Sequence, residues 1–307
     1  MGENVIGSST RPRIAVVGAG GIGSFFGAQL SAVAEDVVYC ARRSFTRLRV
    51  ESDIGPYDGR VRCLTDPWSI PVDWQGLDWV FVAVKSQQTT SAGPWLARLC
   101  TPSTRVVSLQ NGIEQREALA PLIAGAEFLE TAVYCSAELL EAGLVRQHGR
   151  AQLMVDDVPT AKELEQLFAA TPVVIERSQK FRTETWRKLM VNAAANGVTA
   201  LTRKPVGVLQ VPEVAELARA LMLEMLPLAQ ADGAQLTGLD IDLVLATLRA
   251  PTAARVRTSM YQDHLAGRET EHDAIYGAVV RRAWRLGTEA PLHRAISALL
   301  AGAARSS

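Results

Sequence analysis

Lys188, Asn192 and Asn196 lie at intervals of four within the run Trp186-Arg-Lys-Leu-Met-Val-Asn-Ala-Ala-Ala-Asn-Gly. An α-helix has about 3.6 residues per turn, so the three side chains stack along one helix face. Around them stand Leu189, Met190, Val191 and Ala193 to Ala195, all apolar or small. A cation and two carboxamides therefore rise in a row from a helix that is otherwise greasy. A buried polar group without a partner costs roughly 1–3 kcal/mol, and an unpaired ammonium costs more. The row calls for something polar opposite it. A small oxygen-rich substrate would serve, with Lys188 as its proton donor. Taken alone, the same stripe also suits a snorkelling lysine and asparagines that bond to nearby helices or turns. Motifs elsewhere in the chain decide between the two.

The first such motif is near the amino terminus. The β-rich run Ile14-Ala-Val-Val leads into Gly18-Ala19-Gly20-Gly21-Ile22-Gly23, and Ser-Phe-Phe-Gly-Ala-Gln-Leu follows with a helical pattern. Strand, GxGxxG and helix in this order form a dinucleotide-binding turn. Gly18 permits the tight turn, Gly20 lets the backbone approach a pyrophosphate, and Gly23 allows close packing of helix on strand. The helix start offers free N–H groups to the phosphates. The next strand, Val37 to Ala41, ends in Arg42-Arg43, where a domain that prefers NAD usually carries an acid for the ribose 2′-hydroxyl. An arginine instead suits a 2′-phosphate, so NADP (NADPH) is the expected cofactor, with Arg42 favoured over Arg43. Two further strands, over 78–84 and 105–109, end in Lys85 and in Gln110-Asn111-Gly112. Ligands of open α/β sheets bind beyond the carboxyl ends of strands, so Lys85 and Asn111 are candidate cofactor contacts. Asn-Gly is equally a common turn pair.

These motifs need a frame. Strand-like runs continue over 131–134, 144–146, 151–155 and 173–175, with a helix near 160–169 that has Thr160 as candidate N-cap and Glu163 three residues on. From about Phe181 helical periodicity takes over, over 214–231, 241–248 and 272–286. Gly233, Gly238, Pro251, Gly267, Gly287 and Pro291 are expected to break it. The expected fold class is α/β: a Rossmann-type dinucleotide-binding domain over residues 12–180, then an all-helical substrate and catalytic domain over 181–307. Residues 1–11 are expected to form a disordered tail. In the second half, Ser259 could donate to a substrate carboxylate. Glu271 could pair with Lys188 or hold a ribose hydroxyl, although an acid at a helix start is also stabilised by the helix dipole.

The 307 residues suit two domains, and 48% hydrophobic with 21% charged residues is ordinary for a globular chain. Lysine plus arginine (32) equals aspartate plus glutamate (32), so no basic excess points to nucleic acid or an anionic membrane. Cys40, Cys63, Cys100 and Cys135 form no metal-ligand spacing, and Cys40 reads as a small core residue. No apolar run is long enough for a membrane span, and no signal-type core is present. A cytoplasmic location is expected.

Taken together, the glycine motif, Val84-Lys85-Ser-Gln-Gln-Thr, Gln110-Asn111-Gly112, the lysine–asparagine ladder, Thr258-Ser259-Met-Tyr-Gln-Asp263 and Gly267-Arg-Glu-Thr-Glu271 resemble the ketopantoate reductase family. The resemblance spans residues 14 to about 287. It implies NADPH-dependent reduction of a 2-oxo acid, 2-dehydropantoate above all, with Lys188 as proton donor. It further implies substrate binding by Asn192, Asn196 and Ser259, and cofactor contacts from Lys85 and Asn111. Glu271 would lie at both cofactor and active site. The implied partner is a small 2-oxo acid, with a homodimer as a compatible assembly. Three positions depart from the family pattern. Val206 replaces an asparagine that binds substrate. His272 replaces isoleucine in Thr-Glu-Ile-Asp, and Tyr276 replaces asparagine in Ile-Asn-Gly. These departures motivate an alternative, a related NADP-dependent reductase of another 2-oxo acid or ketone. A second alternative is a non-catalytic NADP-binding regulator, against which the intact Lys188 and Glu271 speak.

Overall fold

The structure, a computed structural model, describes residues 11–74 and 76–303. The tail expected over residues 1–11 lies, apart from Arg11, outside them. The chain divides into two compact units. One holds the described residues up to Gln110 with Arg116–Ser178; the other holds Asn111–Gln115 with the described residues from Gln179 onward.

The first unit runs in the order β1 (Arg13–Val17), α1 (Gly21–Leu30), β2 (Asp36–Cys40), β3 (Arg47–Glu51), β4 (Tyr57–Arg60), β5 (Arg62–Leu64), β6 (Trp79–Val82), α2 (Thr89–Leu99), β7 (Arg105–Ser108), α3 (Gln115–Leu119), β8 (Glu127–Glu141), β9 (Leu144–Asp156), α4 (Pro159–Phe168) and β10 (Val174–Ser178). Strands β5-β2-β1-β6-β7-β8 lie side by side in that order, each parallel to the next. This is the doubly wound dinucleotide-binding order, with its switch point between β1 and β6. Alternation along β1 explains why both faces are covered. Ile14 and Val16 enter one core with Phe25, Phe26 and Phe168, whereas Ala15 and Val17 enter another with Trp95, Leu96 and Leu99. Past Glu130, β8 leaves β7 and forms a long antiparallel hairpin with β9, which carries β3, β4 and β10. The short runs expected over 131–134 and 151–155 are parts of this hairpin. Strands β3 to β5, short and rich in charge, had no clear apolar signal.

The second unit comprises α5 (Phe181–Thr202), α6 (Pro212–Ala231), α7 (Gly238–Arg249), α8 (Ser259–Leu265), a π-helical turn (Asp273–Gly277), α9 (Ala278–Arg285) and α10 (Pro291–Ala303). Its core is built on α5, where Trp186, Leu189, Met190 and Ala193 meet Met222 and Met225 of α6. Ile113, from the short segment ahead of α3, belongs to this core too.

Two local expectations are corrected. Thr160 does not cap α4: Val158 holds the N-cap position and Pro159, whose fixed φ suits N1, begins the helix. The Thr160 hydroxyl bonds to Glu127 instead. Gly238 stands at a helix boundary as expected, opening α7, because Thr237 and Asp240 form a capping box around it. The helix expected over 272–286 begins as the π-helical turn and becomes α-helical only from Ala278.

Candidate active site

In the first unit the glycine turn joins β1 to α1. Gly18 has φ of +106°, and its amide donates to the Cys40 carbonyl at 2.9 Å, tying the turn to the end of β2. A Cβ on Gly23 would lie 2.0 Å from the Gly18 carbonyl oxygen, so the helix packs this closely only without one. A Cβ on Gly20 would meet nothing within 4 Å. Between them, Ala19, Gly21 and Ile22 complete the turn and the first residues of α1. The first helical amide to bond back is that of Ser24, to Gly20 at 2.9 Å. The amides of Gly21, Ile22 and Gly23 are therefore the ones a helix start leaves for an external acceptor. Bare backbone facing open space at a helix N-terminus fits a dinucleotide pyrophosphate.

Arg42 and Arg43 follow β2 directly. Both are exposed, with no ion pair among the described residues. Either is placed to meet an anion. Half-buried Lys85 stands three residues beyond β6. Its loop is held by a residue the sequence did not single out: the Gln110 amide donates to the Val84 carbonyl at 3.0 Å and to the Thr89 hydroxyl at 2.8 Å.

In the second unit Lys188, Asn192 and Asn196 occupy three successive turns of α5. Lys188 Nζ donates to Asn111 Oδ1 at 3.1 Å, and Asn111 Nδ2 donates to Glu271 Oε2 at 3.1 Å. One carboxamide thus spans an ammonium and a carboxylate. Its orientation follows from charge, since the reverse would turn its NH₂ toward the ammonium. Glu271 is buried, 9% exposed. Part of the Lys188 side chain reaches the surface, yet dense protein surrounds its amine, and this burial pushes the pKa down to about 8 while nearby Glu271 opposes the shift. Asn196 is 5% exposed and Asn192 half-buried, and neither side chain has a hydrogen-bond partner among the described residues. Two unused carboxamides beside a cation of lowered pKa can bind a small oxygen-rich molecule and supply it with a proton.

Ser259 is exposed at the first position of α8. The preceding Thr258 caps α8 by accepting from the Tyr261 amide, and its hydroxyl also meets that of Thr199 at 2.8 Å. Thr199 lies one turn beyond Asn196, so this pair fixes the start of α8 beside the ladder. Neither threonine was a sequence candidate, because a threonine in a helix or before one is common. Glu114 and Arg281 were missed as well. Arg281 binds Glu114 through Nε and a terminal nitrogen at 2.9 and 2.7 Å, and reaches Asp273 at 2.8 Å. The pair anchors the segment that carries Asn111. Val206 is 2% exposed and lies in the hydrophobic core, its amide bonded to the Val256 carbonyl at 2.9 Å. Among the described residues no cluster of metal-ligating side chains occurs, and no helix is long and apolar enough to cross a membrane.

Comparison with known proteins extends these observations. Residues 14–160 match the model of the family described as ketopantoate reductase PanE/ApbA, and residues 180–304 match its C-terminal counterpart. A 2-dehydropantoate 2-reductase of Caulobacter vibrioides is 34% identical over 95% of this chain and 99% of its own length. One of Mycobacterium tuberculosis is 32% identical over 94% and 97%. The crystal structure of a PanE/ApbA family ketopantoate reductase from Ralstonia eutropha JMP134 superposes with a TM-score of 0.85 at 32% identity, covering 95% of this chain and 98% of that one.

Proposed function

Because the chain belongs to the ketopantoate reductase family, we propose that it reduces 2-dehydropantoate to pantoate with NADPH. The observation that carries this reading is the Lys188–Asn111–Glu271 chain next to two unpartnered carboxamides. The glycine turn, Arg42 or Arg43, Lys85, Asn111 and Glu271 would hold NADPH, with the arginine on the 2′-phosphate. When bound, the nicotinamide supplies the hydride.

The chain's own residues do the rest. Asn192, Asn196 and Ser259 hold the substrate's oxygens and orient its ketone. As negative charge develops on the ketone oxygen, Lys188 stabilises it and delivers a proton from Nζ. A pKa of about 8 leaves Lys188 mostly protonated at neutral pH and a better acid than an ordinary lysine. Asn111 aims the ammonium, and Glu271 keeps its pKa from falling further. Product analysis tests the reading: NADPH oxidation by the purified protein with ketopantoate should yield pantoate in equal amount, and oxidation without pantoate would contradict it.

A different 2-oxo acid is the second reading. It is favoured by Val206, which turns a family substrate ligand into a core residue. Two finer elements complete the proposal. A homodimer is supported by Leu239 and Leu243, exposed four residues apart on α7, and sedimentation tests it. A cytoplasmic location fits a reaction that draws on a reduced nicotinamide pool.

A further inference from the structure

Tyr276 is fully buried in the second unit. Its hydroxyl accepts a hydrogen bond from the Gly197 amide at 2.6 Å and donates one to the Ala193 carbonyl at 2.8 Å. Residues 193 and 197 of α5 are the i and i+4 partners that an uninterrupted helix joins directly. The phenol therefore engages the backbone ladder of α5 from the side, a recognised way of adjusting a helix locally. The place is telling. Ala193 follows Asn192, and Gly197 follows Asn196, so the turn it grips is the one that separates the two unpartnered carboxamides.

Space for the hydroxyl is built in. A Cβ on residue 197 would lie 2.5 Å from the Tyr276 oxygen, which accounts for a glycine inside a long, buried helix. The ring packs 5.8 Å from that of His293, which is itself held by Glu224 at 2.8 Å. Burial drives the phenol pKa up, so the hydroxyl keeps the proton it donates to Ala193. Tyr276 also sits in the π-helical turn that begins two residues after Glu271, and π-turns recur at functional sites.

We infer that Tyr276 is a positioning residue for substrate: its hydroxyl sets the geometry of the α5 turn between Asn192 and Asn196 and ties it to the segment carrying Glu271. The inference rests on the reductase reading. Its chemistry is particular to this chain, because a tyrosine stands where the family pattern has asparagine.

Two variants test it, Tyr276→Phe and Gly197→Ala. The first removes the hydroxyl and leaves the ring; the second leaves the hydroxyl and takes its space. Each should raise KM for the 2-oxo acid about tenfold, the scale expected when bound groups are misplaced by a fraction of an ångström. Each should also reorder preference across a panel of 2-oxo acids, while NADPH affinity stays at the wild-type value. Unchanged KM and preference in a folded Tyr276→Phe protein would overturn the inference. So would loss of folding or of NADPH binding in both variants, which would assign the contact to stability alone. Wild-type turnover of a 2-oxo acid tests the reductase reading separately, so the two failures are distinguishable.

Discussion

At the residue scale the proposed chemistry centres on Lys188. Its amine is pushed down to about 8 by burial, and only the protonated form can donate. Turnover with the 2-oxo acid should therefore fall as pH rises through about 8. Glu271 raises the lysine pKa, so Glu271→Gln should move that fall to lower pH; an unchanged or upward-shifted profile would remove the coupling. Lys188→Ala should reduce kcat by about 10²- to 10⁴-fold, the range of a lost general acid. Near-wild-type turnover would take Lys188 out of the mechanism. Among the proposed cofactor contacts, Arg42→Ala should weaken NADPH more than NADH, because only NADPH carries the 2′-phosphate. Equal weakening would move the assignment to Arg43 or away from both.

At the scale of elements, the β1–turn–α1 unit makes a sharper prediction than its motif does. Gly20→Ala adds a methyl group to open space, so it should leave the melting temperature unchanged while weakening NADPH binding. Gly23→Ala forces a methyl group to 2.0 Å from a carbonyl oxygen and should also destabilise the unit, by about 1–3 kcal/mol for such overpacking. Thermal melts with and without NADPH separate the two; equal destabilisation would contradict the geometry. The contrast shows what a sequence displays. The glycine turn, the parallel strands after β1 and the long helix α5 were legible because each has a strong local period. Strands β3 to β5 were not, since short edge strands with Arg, Asp and Gly lack one. The lysine–asparagine stripe was legible from spacing alone. Glu271 was a candidate partner for Lys188, but the Asn111 carboxamide that joins the two was not: Asn111 is 77 residues from Lys188, and Glu271 is 160 from Asn111. Spacing signals a face, but only the fold says what meets it. For the same reason Tyr276 was visible as a departure from pattern, while its grip on Ala193 and Gly197 was not.

At the scale of the whole molecule, family models match both halves of the chain, and relatives at 32–34% identity cover nearly its full length. Saturating NADPH should therefore stabilise the protein, by about 2.7 kcal/mol at a concentration of roughly 100 Kd, and NADH should do so less. The most direct measurement is steady-state NADPH oxidation by the wild-type protein across a panel of 2-oxo acids that includes ketopantoate. The account predicts turnover with ketopantoate, at the highest kcat/KM of the panel. Tight NADPH binding without reduction of any 2-oxo acid would contradict it.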